Sequence, residues 1–264
     1  ILGKKYILFL FFLFFFKSHI LAEDKITSTP LINLNKIKPS FEEVGNIINL
    51  KDVGLSFNAK IVGPDKFSAL REEYSYEKGF KMATIPELTN LVYASLENPN
   101  YKTAQEVIKR IKHSFGISGN TSVLYAPDQG IYVQDNPIIE NGKIFMCEDN
   151  LEKQLGSIEE NGVVFSDDRT IRFTPNGSKF GYQGSDDLAK NSGIIALVNG
   201  QENAEKLAKS TDYFKFHNFL GSLQSLNMRR VRAVGFNQFG HNLYSRSSAD
   251  RHSFGVKKIK GESN

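Results

Sequence analysis

Gly79-Phe-Lys-Met-Ala-Thr-Ile-Pro-Glu-Leu88 carries the strongest local instruction in the chain. Thr84 and Glu87 have the Ser/Thr-x-x-Glu spacing of a capping box. In that motif the hydroxyl accepts from the third helical N–H and the carboxylate reaches back to the cap's own N–H. Pro86 sits where a missing N–H does no harm. Leu88, Leu91, Val92 and Leu96 then form a stripe at helical spacing. The spacing predicts a helix over 85–97. A second box, Thr103-Ala-Gln-Glu106, precedes Val107, Ile108, Ile111 and Phe115 and predicts a helix over 104–115, with Asn98-Pro-Asn100 between the two.

Outward from these helices the periods shorten. Ser56–Val62 alternates as a strand should. Beyond residue 120, strands are predicted over 122–125, 130–134 and 143–147, a hairpin over 162–165 and 170–173, and an apolar strand over 194–198. A short helix near 202–208 and strands over 230–236 and 253–259 complete the chain. Early helices followed by many short strands predict an α+β fold with helices packed on mostly antiparallel strands.

Composition bounds the function classes. Lys4 and Lys5 precede the apolar run Tyr6–Phe16, Lys17 closes it, and Ala22 stands before Glu23-Asp24. This is the layout of a secretory signal. Eleven helical residues cover only about half of a ~30 Å hydrocarbon core, too little for a stable span. The expected organisation is a signal peptide at 1–22, an extended lead at 23–45 and one domain at 46–264. The expected localisation is secreted or at the cell surface or envelope, with membrane contact only during export. Those first 22 residues hold three of the lysines behind the formal charge of +4 and no acid, so the remainder is near neutral. That argues against a nucleic-acid partner. Cys147, the only cysteine, excludes an internal disulfide. It reads as a buried, inert thiol in a strand.

Catalytic spacing is missing from the sequence. There is no Gly-x-Ser-x-Gly elbow, no His-Glu-x-x-His and no Cys/His cluster, so neither cofactor nor metal is expected. His217, His252, Asp167, Asp168 and Glu87 are the raw material for an alternative reading as an exported hydrolase. A structural envelope protein is a third reading.

The C-terminal stretch Gly235–Gly255 is dense in Asn, Gln, His, Tyr, Ser and Arg between apolar flanks, the composition of a binding surface held by framework strands. Phe236, Phe239 and Tyr244 are expected to supply apolar contact. Asn237, Gln238, His241, Asn242, Arg246, Asp250 and Arg251 would supply directional hydrogen bonds and charge, with Ser245, Ser247 and His252 completing the surface.

Three pieces together resemble the C-type-lectin-like fold of formylglycine-generating-enzyme-like modules and of the variable proteins of diversity-generating retroelements. Gly79–Leu88 resembles the start of that fold's first helix, with Ala83 where Pro is usual. Ser253-Phe-Gly-Val-Lys257 resembles its closing strand. The polar stretch falls where the retroelement-targeted proteins carry diversified residues. The paired cysteines of the formylglycine enzymes have no counterpart, so their chemistry is not carried over. The resemblance implies an exported, non-enzymatic protein that binds an extracellular protein or glycan, with a surface open to retroelement diversification.

Overall fold

The computed structural model describes residues 38–113, 116–176, 178–214, 218–219, 230–237, 242–244 and 251–259. All lie in the unit Ile32–Asn264. The architecture is mixed α/β, one large sheet with several helices.

Four strands lead in: β1 (Glu42–Val44), β2 (Ile47–Leu50), β3 (Leu55–Asp65) and the two-residue β4 (Lys81–Met82). The centre is β5 (Ile117–Ala126), β6 (Gly130–Asp135), and a separate hairpin of β7 (Ile138–Glu140) and β8 (Lys143–Phe145). β9 (Ile158–Glu160), β10 (Val163–Phe165) and β11 (Ile171–Pro175) extend the sheet beyond β6. The last group is β12 (Gly181–Tyr182), β13 (Asn218–Phe219), β14 (Arg230–Asn237), β15 (Asn242–Tyr244) and β16 (Arg251–Lys258). Among the described strands the main path runs β1-β2-β3-β16-β5-β14-β15-β13-β12. All its pairings are antiparallel except β16 with β5 and β13 with β15.

The helix Ile85–Glu97 is where its sequence puts it, and its box is complete. Thr84 Oγ1 accepts from the Glu87 N–H at 3.4 Å, and Glu87 Oε2 accepts from the Thr84 N–H at 2.7 Å. Leu88, Leu91 and Val92 are buried against the sheet. The second helix, Lys102–His113, starts before its expected cap, so Thr103 is already helical. Glu43 caps it from β1 instead, accepting from the Thr103 N–H at 2.9 Å and from its hydroxyl at 2.7 Å. The lead expected over 23–45 has therefore given way to sheet by Glu42. A second correction is Ser192–Val198, a buried helix where a strand was expected. A five-residue apolar run does not distinguish a covered strand from a covered helix. The following helix is longer than expected, Gln201–Phe214. Cys147 lies past the end of β8, at the cap position of the helix Glu148–Glu152, and is partly exposed, neither in a strand nor buried.

A buried ionic chain ties helices to sheet. Thr121 Oγ1 accepts from the Ile85 N–H at 2.9 Å and donates to Asp135 at 2.5 Å. Asp135 pairs with Arg172, whose guanidinium is fully buried and also donates to the Ala196 carbonyl at 2.8 Å. Both ions have every strong contact that burial demands.

Candidate functional site: the segment between β14 and β16

Two pieces of sequence more than 160 residues apart build the platform of this site. β4 pairs with β16 through Met82 opposite Gly255 and Lys81 opposite Val256. The Ala83 N–H then donates to the Phe254 carbonyl at 3.0 Å, and the Ala83 carbonyl accepts from the Asn120 N–H at 2.8 Å. The approach to the capped helix is thus hydrogen-bonded to both β16 and β5. Phe254 and Val256 enter the same core as Leu88 and Leu91.

β5 holds the two ends of the polar segment. Along one edge it pairs with β14, Phe236 opposite Ile117. Along its other edge, at the same residue, it pairs with β16, His252 opposite Ile117, and the His252 N–H donates to the Gly116 carbonyl at 3.0 Å. Gly235 allows the close approach. A Cβ there would lie 2.4 Å from the Ile117 carbonyl oxygen. The register of β14 shifts between Ala233 and Gly235, a bulge that re-aims the strand as it leaves the core.

The expected contact residues separate into groups. Phe236 is 2 % exposed and packs in the main core, so it is framework. This corrects its assignment to the contacting surface: alternation along β14 turns its side chain inward, as it does for Val234. Arg251 is also buried, at 4 % exposure, with Nη1 donating to Ser118 Oγ at 3.0 Å. That removes it from the outer surface too. His252 is partly exposed. Asn237 ends β14 opposite Asn242, and Tyr244 lies in β15 opposite Gly235. Gln238, Phe239, His241, Ser245, Arg246, Ser247 and Asp250 lie outside the described residues. Ser253, adjacent to the set, is buried and donates to the Ser118 carbonyl at 2.8 Å.

Of the residues of the hydrolase reading, Glu87 and Asp168 are engaged locally, and Asp167 is exposed in the β10–β11 turn. Glu87 serves the helix cap. Asp168 closes the β10–β11 turn, accepting from the Thr170 N–H and from the Ser166 and Thr170 hydroxyls, contacts that hold its carboxyl below the usual range. His217 lies outside the described residues. Among the described residues no group of His, Cys, Asp and Glu could hold a metal ion.

Sequence reading missed Arg232, Lys66 and Lys143, which line a cavity with Arg251. With Arg251 the four come from separate places in the chain, and only the repeated arginine of Arg230-Val-Arg232 offered any signal.

No family model and no curated protein matches the chain. Among solved structures, one described as "Accommodation of massive sequence variation in Nanoarchaeota by the C-type lectin fold" is similar, with a TM-score of 0.45 and 14 % identity. The likeness covers 75 % of this chain and 96 % of that one.

Proposed function

We propose that this chain is an exported, non-enzymatic binding protein whose C-type-lectin-like domain presents the segment 237–250 to an extracellular protein or glycan. The observation that supports it is the double pairing at Ile117, which fixes Phe236 and His252 on the two sides of one central strand. Directional groups carried between two anchored strands meet a ligand with less ordering cost than the same groups on a free chain. The buried Phe236 and Arg251 belong to the support. Phe239 and Tyr244 are the aromatic anchors of this reading, with Gln238, His241, Asn242, Arg246 and Asp250 as polar partners. Retroelement diversification of these positions, and secretion through residues 1–22, are parts of the same proposal.

The test is binding of the full chain to immobilised glycan and extracellular-protein arrays, repeated with Tyr244→Ala and Arg246→Ala. The expected result is loss of array binding with an unchanged melting temperature. Retained binding, or a large fall in melting temperature, would overturn the reading.

A further inference from the structure

A cavity of about 440 Å³ opens beside the platform, between β14, β16, the β7–β8 hairpin and the short helix Phe67–Leu70. Its described lining contains four cationic residues, Lys66, Lys143, Arg232 and Arg251, and no carboxylate. Phe67, Ile144, Val231 and Ala233 supply the apolar wall. The volume lies within the ~300–1,000 Å³ range of small-molecule sites.

Arg251 is the unusual member. Its side chain is withdrawn from solvent. Ser118 takes one terminal nitrogen, while the other, Nη2, is buried with no hydrogen-bond partner among the described residues. Burial first, and the charge of Arg232 second, push its pKa down to about 10. It remains cationic at neutral pH. A buried charge without a counter-charge is costly, and here a second arginine stands close enough to repel it. Among the described residues, Arg232 Nη1 donates only to the neighbouring Val231 carbonyl, at 3.2 Å. Guanidinium groups with free donors are suited to planar or tetrahedral oxyanions.

From this convergence we propose that the cavity binds a small organic anion, its carboxylate or phosphate held by Arg251 and Arg232 and its apolar body against Phe67, Ile144 and Val231. The anion supplies what Arg251 lacks among the described residues, an opposite charge. Lys66 and Lys143, exposed at the rim, draw it in. This inference does not depend on the tail segment being a recognition surface.

The probes are benzoate and phenyl phosphate, titrated into the full chain by calorimetry with a parallel melting curve. Benzamide and inorganic phosphate serve as the neutral and the non-apolar arms. Saturable binding in the millimolar range or tighter is expected for at least one aromatic anion, with a rise in melting temperature. Benzamide should bind at least about tenfold more weakly, as expected for loss of a charge-assisted pair. Inorganic phosphate should also bind more weakly, having no apolar body. Arg251→Gln should abolish binding, but it alters a buried residue and its fold needs checking. Arg232→Gln, at a partly exposed position, should weaken binding about tenfold while leaving the unliganded melting temperature unchanged. Tyr244→Ala should leave anion binding intact, which separates this site from the tail surface. Equal affinity for benzamide, an unaffected Arg232→Gln, or no saturation by either aromatic anion would overturn the proposal.

Discussion

Phe236 and His252 stand on opposite sides of Ile117, each paired with it across a different edge of β5. Two inter-strand spacings put them about 10 Å apart. Everything between them in sequence therefore departs from and returns to one place in the sheet. The contacts that hold these ends are backbone pairings, core packing and the buried hydrogen bond from Arg251 to Ser118.

The tightest point of that arrangement gives the first prediction. Gly235→Ala would bring a Cβ to 2.4 Å from the Ile117 carbonyl oxygen, where the obstructing atom is backbone and cannot swing aside. Separating β14 from β5 should cost about 1–3 kcal/mol. Urea denaturation measures this directly, and a loss under a few tenths of a kcal/mol would mean the strands are not so closely apposed.

The Asp135–Arg172 pair gives the second. Asp135→Ala should cost about 3–5 kcal/mol, because Arg172 would remain buried without its carboxylate. The double variant Asp135→Ala/Arg172→Met should recover part of that loss, since the stranded charge is gone. A double variant less stable than Asp135→Ala alone would show that Arg172 stabilises mainly through its bonds to the Ala196 and Leu197 carbonyls.

Two helix-capping glutamates should titrate in opposite senses, and this is the third prediction. Glu43 is held below its ordinary value of 4.5, chiefly by the Thr103 N–H and then by its hydroxyl. Its contribution is present above the unfolded pKa and is lost as pH falls through the lower, folded one. Glu87 is pushed above 4.5, because burial outweighs its hydrogen bonds from Thr84. Its contribution is complete below the unfolded pKa and declines as pH rises through the folded one. The stability difference between wild type and Glu43→Gln should therefore grow from pH 3 upward to about pH 5. The difference between wild type and Glu87→Gln should shrink over an interval beginning near pH 4.5 and extending upward. Melting curves across pH 2.5–8 test both, and slopes of the same sign would contradict the two environments.

What sequence conveys is here a matter of distance along the chain. The Thr84–Glu87 box and the β10–β11 hairpin are settled within a few residues, and both were legible. Glu43 caps a helix from 60 residues away, and no local pattern announces that. The misread Ser192–Val198 shows the other limit: when both faces of an element are covered, periodicity vanishes. At the candidate site, composition could not say which side chains turn inward. Phe236 and Arg251 look like contact residues by type, yet the alternation of β14 and the packing of β16 make them support. The cationic cavity was beyond reach because the helix Phe67–Leu70, β8, β14 and β16 meet there only once the chain has folded.

The pairing at Ile117 also sets how far the interval between β14 and β16 can change. Because the sheet fixes both departure points, doubling the number of residues between them costs only about 0.6 kcal/mol of closure entropy. Insertions to either side of β15 therefore add little to the cost of folding, as long as β15 keeps its pairings with β14 and β13.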